Sequence, residues 1–373
     1  MKRICISSSG LFTPAASISN DELVASYNQY AESHNQEHAD AIAASAATPL
    51  PASSSEFIVK ASGIRARYVV DRDGVLNPQR MRPQIRLRGD DEPSLLAEMA
   101  IAAATQALQR AKRKPEDIDA VIVACSNLQR AYPAIAVEVQ HYLGCGGYAY
   151  DMNVACASAT FGLQAATDAV ANGSARAVLV INPEICSGHL NFRNRDCHFI
   201  FGDAATATVV EPLDQTEGEA PFEILGTRLK TQFSNNIRNN FGFLNAAEEP
   251  QRPWHDTLFR QEGRKVFKEV VPLASELIVG HLESLSIDPT RLKRLWLHQA
   301  NLGMNEYIAR RVLGRDATID EAPVILDEYA NTSSAGSVIA FHKNHLDFSS
   351  GELGVLCAFG AGYSVGSVAL RRV

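Results

Sequence analysis

Apolar and polar positions alternate along this chain in a way that predicts layered helices and strands. Residues 1–12 read as a first strand. Ser19-Asn20-Asp21-Glu22 is a helix-start signal, and Leu23 to about Ala47 follows as helix, although its later part (Glu32, His34, Gln36, Glu37, His38) is polar. The proline- and serine-rich stretch from Thr48 to Ser55 is a loop. Residues 71–93 are irregular and charged: Arg80, Arg82, Arg86 and Arg88 are followed by Asp90, Asp91 and Glu92, the pattern of a solvated surface loop. Leu95–Lys112 predicts a strongly apolar, alanine-rich helix, and Ile118–Cys125 a strand of the buried type.

The pattern repeats. Pro115-Glu-Asp-Ile-Asp-Ala-Val-Ile-Val-Ala-Cys-Ser-Asn127 matches Pro289-Thr-Arg-Leu-Lys-Arg-Leu-Trp-Leu-His-Gln-Ala-Asn301, each a helix–loop–strand behind a long apolar helix, offset by 174 residues. Carried forward, the repeat sets Cys156 opposite Asn331, and the strand Ala177–Asn182 opposite Gly354–Phe359. A chain that repeats at half its length predicts two similar α/β halves about a pseudo-twofold axis, 1–212 and 213–373. Equivalent loops then meet near the axis, which brings Cys156 and Asn331 together. His298 takes the strand-end position that Ala124 holds in the first half.

Cys156 stands between a polar strand end, Asp151-Met-Asn, and a run of small helix formers that stops at Asn172-Gly173. Unpaired N–H groups and the dipole at a helix N-terminus are expected to lower its pKa and make it a nucleophile. Taken singly, Cys156 also reads as a small buried residue, His298 as a satisfied strand-end histidine and Asn331 as a turn or cap. Together they make a chemical unit. A thiolate attacks a thioester with little change in leaving-group strength, while a histidine N–H and an asparagine amide both donate to one oxyanion, such as the enolate of a decarboxylating malonyl thioester.

Composition narrows the classes. The chain has 373 residues, 46% hydrophobic and 21% charged, which suits a large soluble enzyme of two or three domains. The net charge of −7 argues against wholesale nucleic-acid binding. No stretch reaches the ~20 apolar residues of a membrane span, and the start is too short for a signal-peptide core. Seven scattered cysteines suit free thiols in a reducing cytoplasm. Cys186-x2-His189 with Cys197-His198 invites a metal reading, but adjacent Cys-His is poor spacing for one ion, and no metal is expected. Gly360-Ala-Gly-Tyr-Ser-Val-Gly366 lacks the following helix and acid of a dinucleotide fingerprint.

The motifs Asn153-Val-Ala-Cys-Ala-Ser158, Phe201-Gly-Asp-Ala-Ala-Thr-Ala207, His298-Gln-Ala-Asn301, Asn331-Thr-Ser-Ser334 and Phe359-Gly-Ala-Gly-Tyr-Ser364 resemble the β-ketoacyl-[acyl-carrier-protein] synthase III family. The resemblance runs from Phe57 to the C-terminus, with gaps after Val70. It implies the thiolase fold, with two pseudo-twofold-related α/β halves in an αβαβα arrangement. It implies a Cys156-His298-Asn331 triad and an oxyanion hole from the backbone N–H groups of Cys156 and Ala361, where relatives carry glycine at the latter. Asn331 separates the chain from elongating synthases with Cys-His-His. Cys357-Ala-Phe-Gly360 lacks the Cys-x-Gly of thiolases, and the Gly-Phe-Gly-Pro-Gly loop of chalcone synthases is absent.

The resemblance also implies acyl-CoA and malonyl-[acyl carrier protein] as substrates, no cofactor and a homodimer. Lys268, Arg310 and Arg311 match positions where the acidic carrier docks; a solvated helix face is the other reading of those three. Phe57 falls where relatives stack a tryptophan on the coenzyme A adenine, and Arg195 matches a residue lining that mouth. Ala61 and Gly303 replace arginines, with Lys60 adjacent to the first. Tyr132 matches the acyl-pocket gate that reaches across the dimer. Set against the family, the chain carries two insertions, near 28–55 and 71–93, around elements that border the acyl tunnel; they resemble the branch that takes medium-chain acyl-CoA primers, the β-ketodecanoyl synthase type, and are expected to reshape that tunnel. The reading is therefore a decarboxylative Claisen condensation of a medium-chain primer such as octanoyl-CoA, initiating fatty acid synthesis. Two rivals stay open: an acyltransferase that passes the acyl group to an amine or alcohol, and a non-catalytic partner subunit.

Overall fold

The computed structural model describes residues 2–373; Met1, the first residue of the predicted opening strand, lies outside the described residues. In chain order the main elements are β1 (Ile4–Phe12), α1 (Asn20–Glu37), α2 (Ser55–Ser62), α3 (Leu95–Ala111), β2 (Ala120–Ala124), α4 (Ile135–Leu143), β3 (Tyr148–Met152), α5 (Ser158–Asn172), β4 (Val178–Ile185) and β5 (Asp203–Pro212). Then follow β6 (Phe222–Ser234), α6 (Gly263–Ser284), β7 (Leu292–Leu297), α7 (Leu302–Leu313), α8 (Ala335–Lys343), β8 (Leu353–Gly360) and β9 (Gly362–Arg372).

The strands form one nine-stranded sheet in the order β7-β8-β9-β6-β1-β5-β4-β2-β3. That order is symmetric about the β6/β1 pair: β6 answers β1, β9 answers β5, β8 answers β4 and β7 answers β2. The central pairing is antiparallel and only two residue pairs long, Cys5 with Glu223 and Ile6 with Phe222. So short a seam lets the sheet fold around α5 and α8, which touch strands of both halves. Helices α3 and α4 cover the outer face of the first half, and α6 with α7 that of the second. The result is α–β–α–β–α layering. Three apolar cores fill the layers, one under each outer helix pair and one around the central helices, which includes Trp296, Phe222 and the small inner faces of α5 and α8. Because β4 and β8 are covered on both sides, nearly every residue in them is buried, which is why they read as continuous apolar runs.

Local chemistry sets the helix ends. Ser19 and Glu22 make a reciprocal capping box at the start of α1. The predicted helix to Ala47 breaks at His38, and only a short turn, Ala39–Ala43, continues it. No residue of that turn is buried, so tertiary packing does not support it. The charged stretch holds a short helix, Arg72–Leu76, and buries Val75 and Met81. Beyond it Arg86 pairs with Glu92 and Arg88 with Glu98.

Glu184, fully buried on β4, ties the two halves at the axis. Its carboxylate accepts from the Ser126 N–H (2.9 Å) and hydroxyl (2.6 Å) after β2, and from the Ser334 N–H (3.1 Å) and hydroxyl before α8. A loop of the first half and a loop of the second are thereby held to one point.

Candidate active site

Cys156 stands in a single tight turn, Ala155–Ala157, that leads into α5. The backbone entering it is strained: Ala155 has φ +47°. Local hydrogen bonds hold that strain, with Ala155 N–H on Asn153 Oδ1 (3.0 Å), Val154 N–H on Ser158 Oγ (2.9 Å) and Ser158 Oγ on the Ala155 carbonyl (2.7 Å). Helix α5 then runs to Asn172 and ends on Gly173 at φ +82°.

His298 follows the last residue of β7. Its N–H donates to the Cys357 carbonyl on the parallel strand β8 (2.8 Å), and its ring stands edge-on to Phe359. Asn331 is pinned by its backbone to the Ile200–Gly202 segment: its N–H reaches the Ile200 carbonyl (2.9 Å) and its carbonyl takes the Gly202 N–H (3.1 Å). Its Oδ1 accepts the Ser333 N–H (2.8 Å), which leaves the side-chain NH2 free to donate. Cys156, His298 and Asn331 all line one cavity of about 1050 Å³, with Phe359 and Gly360 beside them. His298 and Asn331 are almost wholly buried.

Around the sulfur, Ser333 Oγ donates to Cys156 Sγ at 3.3 Å. The backbone N–H groups of Cys156 and Ala361 also bear on the thiol, the same pair named from the resemblance as the oxyanion hole. Gly360 packs against it so closely that an added Cβ would lie 2.6 Å from Cys156 Cβ.

The electrostatics correct one expectation. The helix start does not leave Cys156 with a low pKa. Burial pushes the thiol up to about 12, and the Glu184 carboxylate adds to the rise. The Ser333 hydroxyl and the two backbone N–H groups pull it down without overcoming burial. The resting sulfur is therefore a protonated thiol. His298 is pushed down to about 4 by burial, against the backbone of Ser333, which favours its proton. Its imidazole is neutral near pH 7 and carries one N–H to donate.

The remaining predicted residues are more scattered. Phe57 and Ala61 line the cavity, whereas Arg195 does not; its guanidinium lies flat on the Phe57 ring at 3.9 Å, held by the Ala52 carbonyl (2.7 Å). The two walls of the expected adenine slot thus stack on each other. Tyr132 is 85% exposed and outside its own chain's cavity. Lys268 is exposed on α6; on α7 Arg310 is paired with Asp316, and Arg311 faces a groove with Glu276 and Glu283. No residue of 28–55 or 71–93 lines the cavity; the two stretches meet it only from behind, through Arg193, Arg195 and His198.

Sequence reasoning missed Ser333, Gly360, the half-buried Arg238 and the exposed Arg260 and Arg264 at the cavity rim. The first two stand inside quoted motifs; Arg238 and Arg260 belong to a flap, Ile237–Arg238 paired with Arg260–Gln261, that has no periodic signal, and Arg264 stands in the first turn of α6. The Cys/His group disperses. Cys186 faces Glu184, His198 bonds Ser53 (2.9 Å) and stacks on Tyr27, Cys197 lines the cavity, and His189 packs against Phe201. Among the described residues no group of three or more His, Cys, Asp or Glu could hold a metal ion, and no helix is long and apolar enough to cross a membrane.

Comparison with known proteins places this geometry. Residues 150–232 match the family described as 3-oxoacyl-[acyl-carrier-protein] synthase III, and residues 282–372 match its C-terminal part. The chain is 62% identical over 347 residues to beta-ketodecanoyl-[acyl-carrier-protein] synthase of Pseudomonas aeruginosa, covering 93% of this chain and 99% of that one. It is 30% identical to beta-ketoacyl-[acyl-carrier-protein] synthase III of Novosphingobium aromaticivorans over 87% of this chain and 93% of that one. Among solved structures, 3-oxoacyl-[acyl-carrier-protein] synthase III of Aquifex aeolicus superposes with a TM-score of 0.76 at 25% identity, covering 99% of both chains.

Proposed function

The chain belongs to the 3-oxoacyl-[acyl-carrier-protein] synthase III family, and on that premise we propose that it joins an acyl-CoA primer to malonyl-carrier protein by decarboxylative Claisen condensation. It is an acyltransferase of the condensing type. In the first step the Cys156 sulfur adds to the thioester carbonyl. The bond to coenzyme A breaks, the acyl group stays on Sγ, and the thiol proton leaves on coenzyme A. In the second, malonyl-carrier protein loses carbon dioxide and the resulting enolate accepts N–H donors from His298 and Asn331. Its carbon attacks the acyl-Cys156 carbonyl. The β-ketoacyl carrier protein leaves, and the sulfur regains a proton. The steps as written use no metal or redox group.

The observation that carries this reading is the common cavity: one nucleophilic sulfur, a neutral imidazole and an asparagine NH2 all face it. A neutral His298 suits enolate stabilisation, since it donates without having to lose a proton first. The relative's name gives a ten-carbon product. Malonyl supplies two of those carbons, so an octanoyl primer is the proposal for this chain. A cytoplasmic setting follows from free thiols and carrier-bound substrates.

A homodimer follows from the edge strand β3. Its Tyr148 and Tyr150 stack in parallel and stay exposed, beside exposed Val137 and Tyr142 on α4. Tyr132 then serves as a gate only for the other subunit's pocket. Lys268, Arg310 and Arg311 are proposed as the carrier's landing site; among the described residues Arg310 is paired with Asp316, whereas Lys268 and Arg311 bear no ion pair.

The test is intact mass after exposure to acyl-CoAs from two to twelve carbons, followed by malonyl-carrier protein. The expected result is a gain largest with octanoyl-CoA, absent in Cys156→Ala and discharged as a β-ketoacyl product. A stable adduct that malonyl-carrier protein cannot discharge points to acyl transfer without condensation. Equal or better turnover of acetyl-CoA overturns the primer assignment.

A further inference from the structure

We propose that Ser333 is a further catalytic residue, whose hydroxyl carries part of the negative charge that builds on Cys156 Sγ while that sulfur gains and later releases the acyl group. The inference rests on the condensing role of Cys156 and adds a fourth side chain to it. Ser333 bonds two members of the triad directly and bears on the third. Its Oγ donates to Sγ at 3.3 Å, its N–H fixes Asn331 Oδ1 at 2.8 Å, and its backbone favours the proton on His298. It is 2% exposed.

Three hydroxyls stand in a row in Thr332-Ser333-Ser334, and only one reaches the sulfur. Thr332 Oγ1 is buried without a partner, and the Ser334 hydroxyl goes to Glu184. Ser333 holds φ +48°, a left-handed conformation that glycine adopts freely and an L-residue adopts at a cost. A serine kept where glycine would relax the chain points to work done by its side chain.

The chemistry explains why a hydroxyl is needed. In the resting state the N–H groups of Cys156 and Ala361 bear on the sulfur along with Ser333. As the thioester carbonyl is attacked, its oxygen begins to claim those two N–H groups while charge still rests on the sulfur. Ser333 is then the protein donor left on the sulfur. The same donor serves when Cys156 departs as thiolate in the second step. No proton is consumed by this role: the hydroxyl keeps its hydrogen and only shares it.

The test compares wild type with Ser333→Ala, which keeps the Cβ, and Ser333→Gly, which relaxes the backbone. Iodoacetamide alkylation of Cys156 is followed by peptide mass from about pH 7 to about pH 10. Both variants should alkylate roughly 10- to 100-fold more slowly at a given pH, with the thermal midpoint retained in at least the glycine variant. Acylation by octanoyl-CoA should slow by a similar factor. Decarboxylation of malonyl-carrier protein in a Cys156→Ala background should fall far less, because that step uses the Ser333 backbone and not its hydroxyl. Alkylation at the wild-type rate in both variants overturns the proposal. So does an equal loss of alkylation and decarboxylation, which would mean only that the loop had moved. Alkylation does not depend on acyl transfer, so a wild type that accepts no acyl group would sink the condensing role and still leave this inference readable.

Discussion

Replacing Gly360 with alanine should misplace the nucleophile without unfolding the chain. The new Cβ would fall 2.6 Å from Cys156 Cβ, 3.0 Å from Sγ and 3.2 Å from its backbone N. Carbon atoms in contact sit at about 3.5–4.0 Å, so Cys156 or the β8 end must give by about 1 Å. Rotating the thiol does not help, because the nearest atom is Cβ. The backbone cannot easily retreat either, since it is locked between strained Ala155 and α5. Gly360 is not among the glycines at left-handed φ, whereas Gly362 is at +131°, so the substitution adds crowding and no dihedral strain. Crowding of this kind costs about 1–3 kcal/mol of stability. A shift of about 1 Å out of reach of the Cys156 and Ala361 N–H groups should slow acylation roughly 100-fold. Acyl-adduct formation with octanoyl-CoA, followed by intact mass, reads the rate, and a thermal melt reads the stability. Acylation within about threefold of wild type would refute the reasoning, since it would mean the contact relaxes without moving the sulfur.

The buried Glu184 discriminates charge from shape. Glu184→Ala leaves the buried N–H groups of Ser126 and Ser334 without an acceptor and should destabilise by about 2–6 kcal/mol in a urea titration, while Glu184→Gln keeps one acceptor and lets the two hydroxyls rotate, costing about 1 kcal/mol or less. Burial pushes His189, His281, His298 and His342 down to about 4 and His198 to about 3. The unfolded chain therefore takes up protons first as pH falls. Stability is complete above the unfolded value of about 6.5 and is lost as pH drops toward 4; a melting temperature flat from about pH 7 to about pH 5 would contradict this. Because Arg195 lies on Phe57 at 3.9 Å, octanoyl-pantetheine should keep kcat/KM within about tenfold of octanoyl-CoA; a loss of about 1000-fold would show that the nucleotide has its own slot after all.

The doubling of the fold was legible because it rests on burial. Strands covered on both faces must be apolar throughout, so Ile118–Cys125 and its repeat betrayed the two halves, and the repeat in turn set Cys156 opposite Asn331. The thiol's protonation state was not legible. It depends on how completely distant segments exclude water from the sulfur, and the helix-start pattern carries only one of the opposing contributions. Ser333 and Gly360 were hidden for a similar reason. A serine after an asparagine or a glycine at a strand end has ordinary local meaning, and only the meeting of the two halves brings each within reach of the sulfur. The break of the first helix at His38 needed packing information too, because the residues beyond it are as helix-prone as those before.

The insertions show how a segment can govern a cavity it never lines. One stretch, residues 191–201, carries two sets of side chains. Asn194, Asp196, Cys197, Phe199, Ile200 and Phe201 face the cavity. Arg193, Arg195 and His198 face the insertions: Arg193 donates to the Gln79 carbonyl (2.6 Å) and lies over Tyr30, Arg195 is held by Ala52, and His198 by Ser53 and Tyr27. Both insertions therefore grip the back of one wall. That wall continues through Ile200–Gly202 into the backbone of Asn331. A change in α1 or in the charged stretch can in this way reach the donor side chain through three adjoining sets of hydrogen bonds. We expect selectivity for the acyl chain to depend on how stiffly the wall is backed, as well as on the residues that touch the substrate.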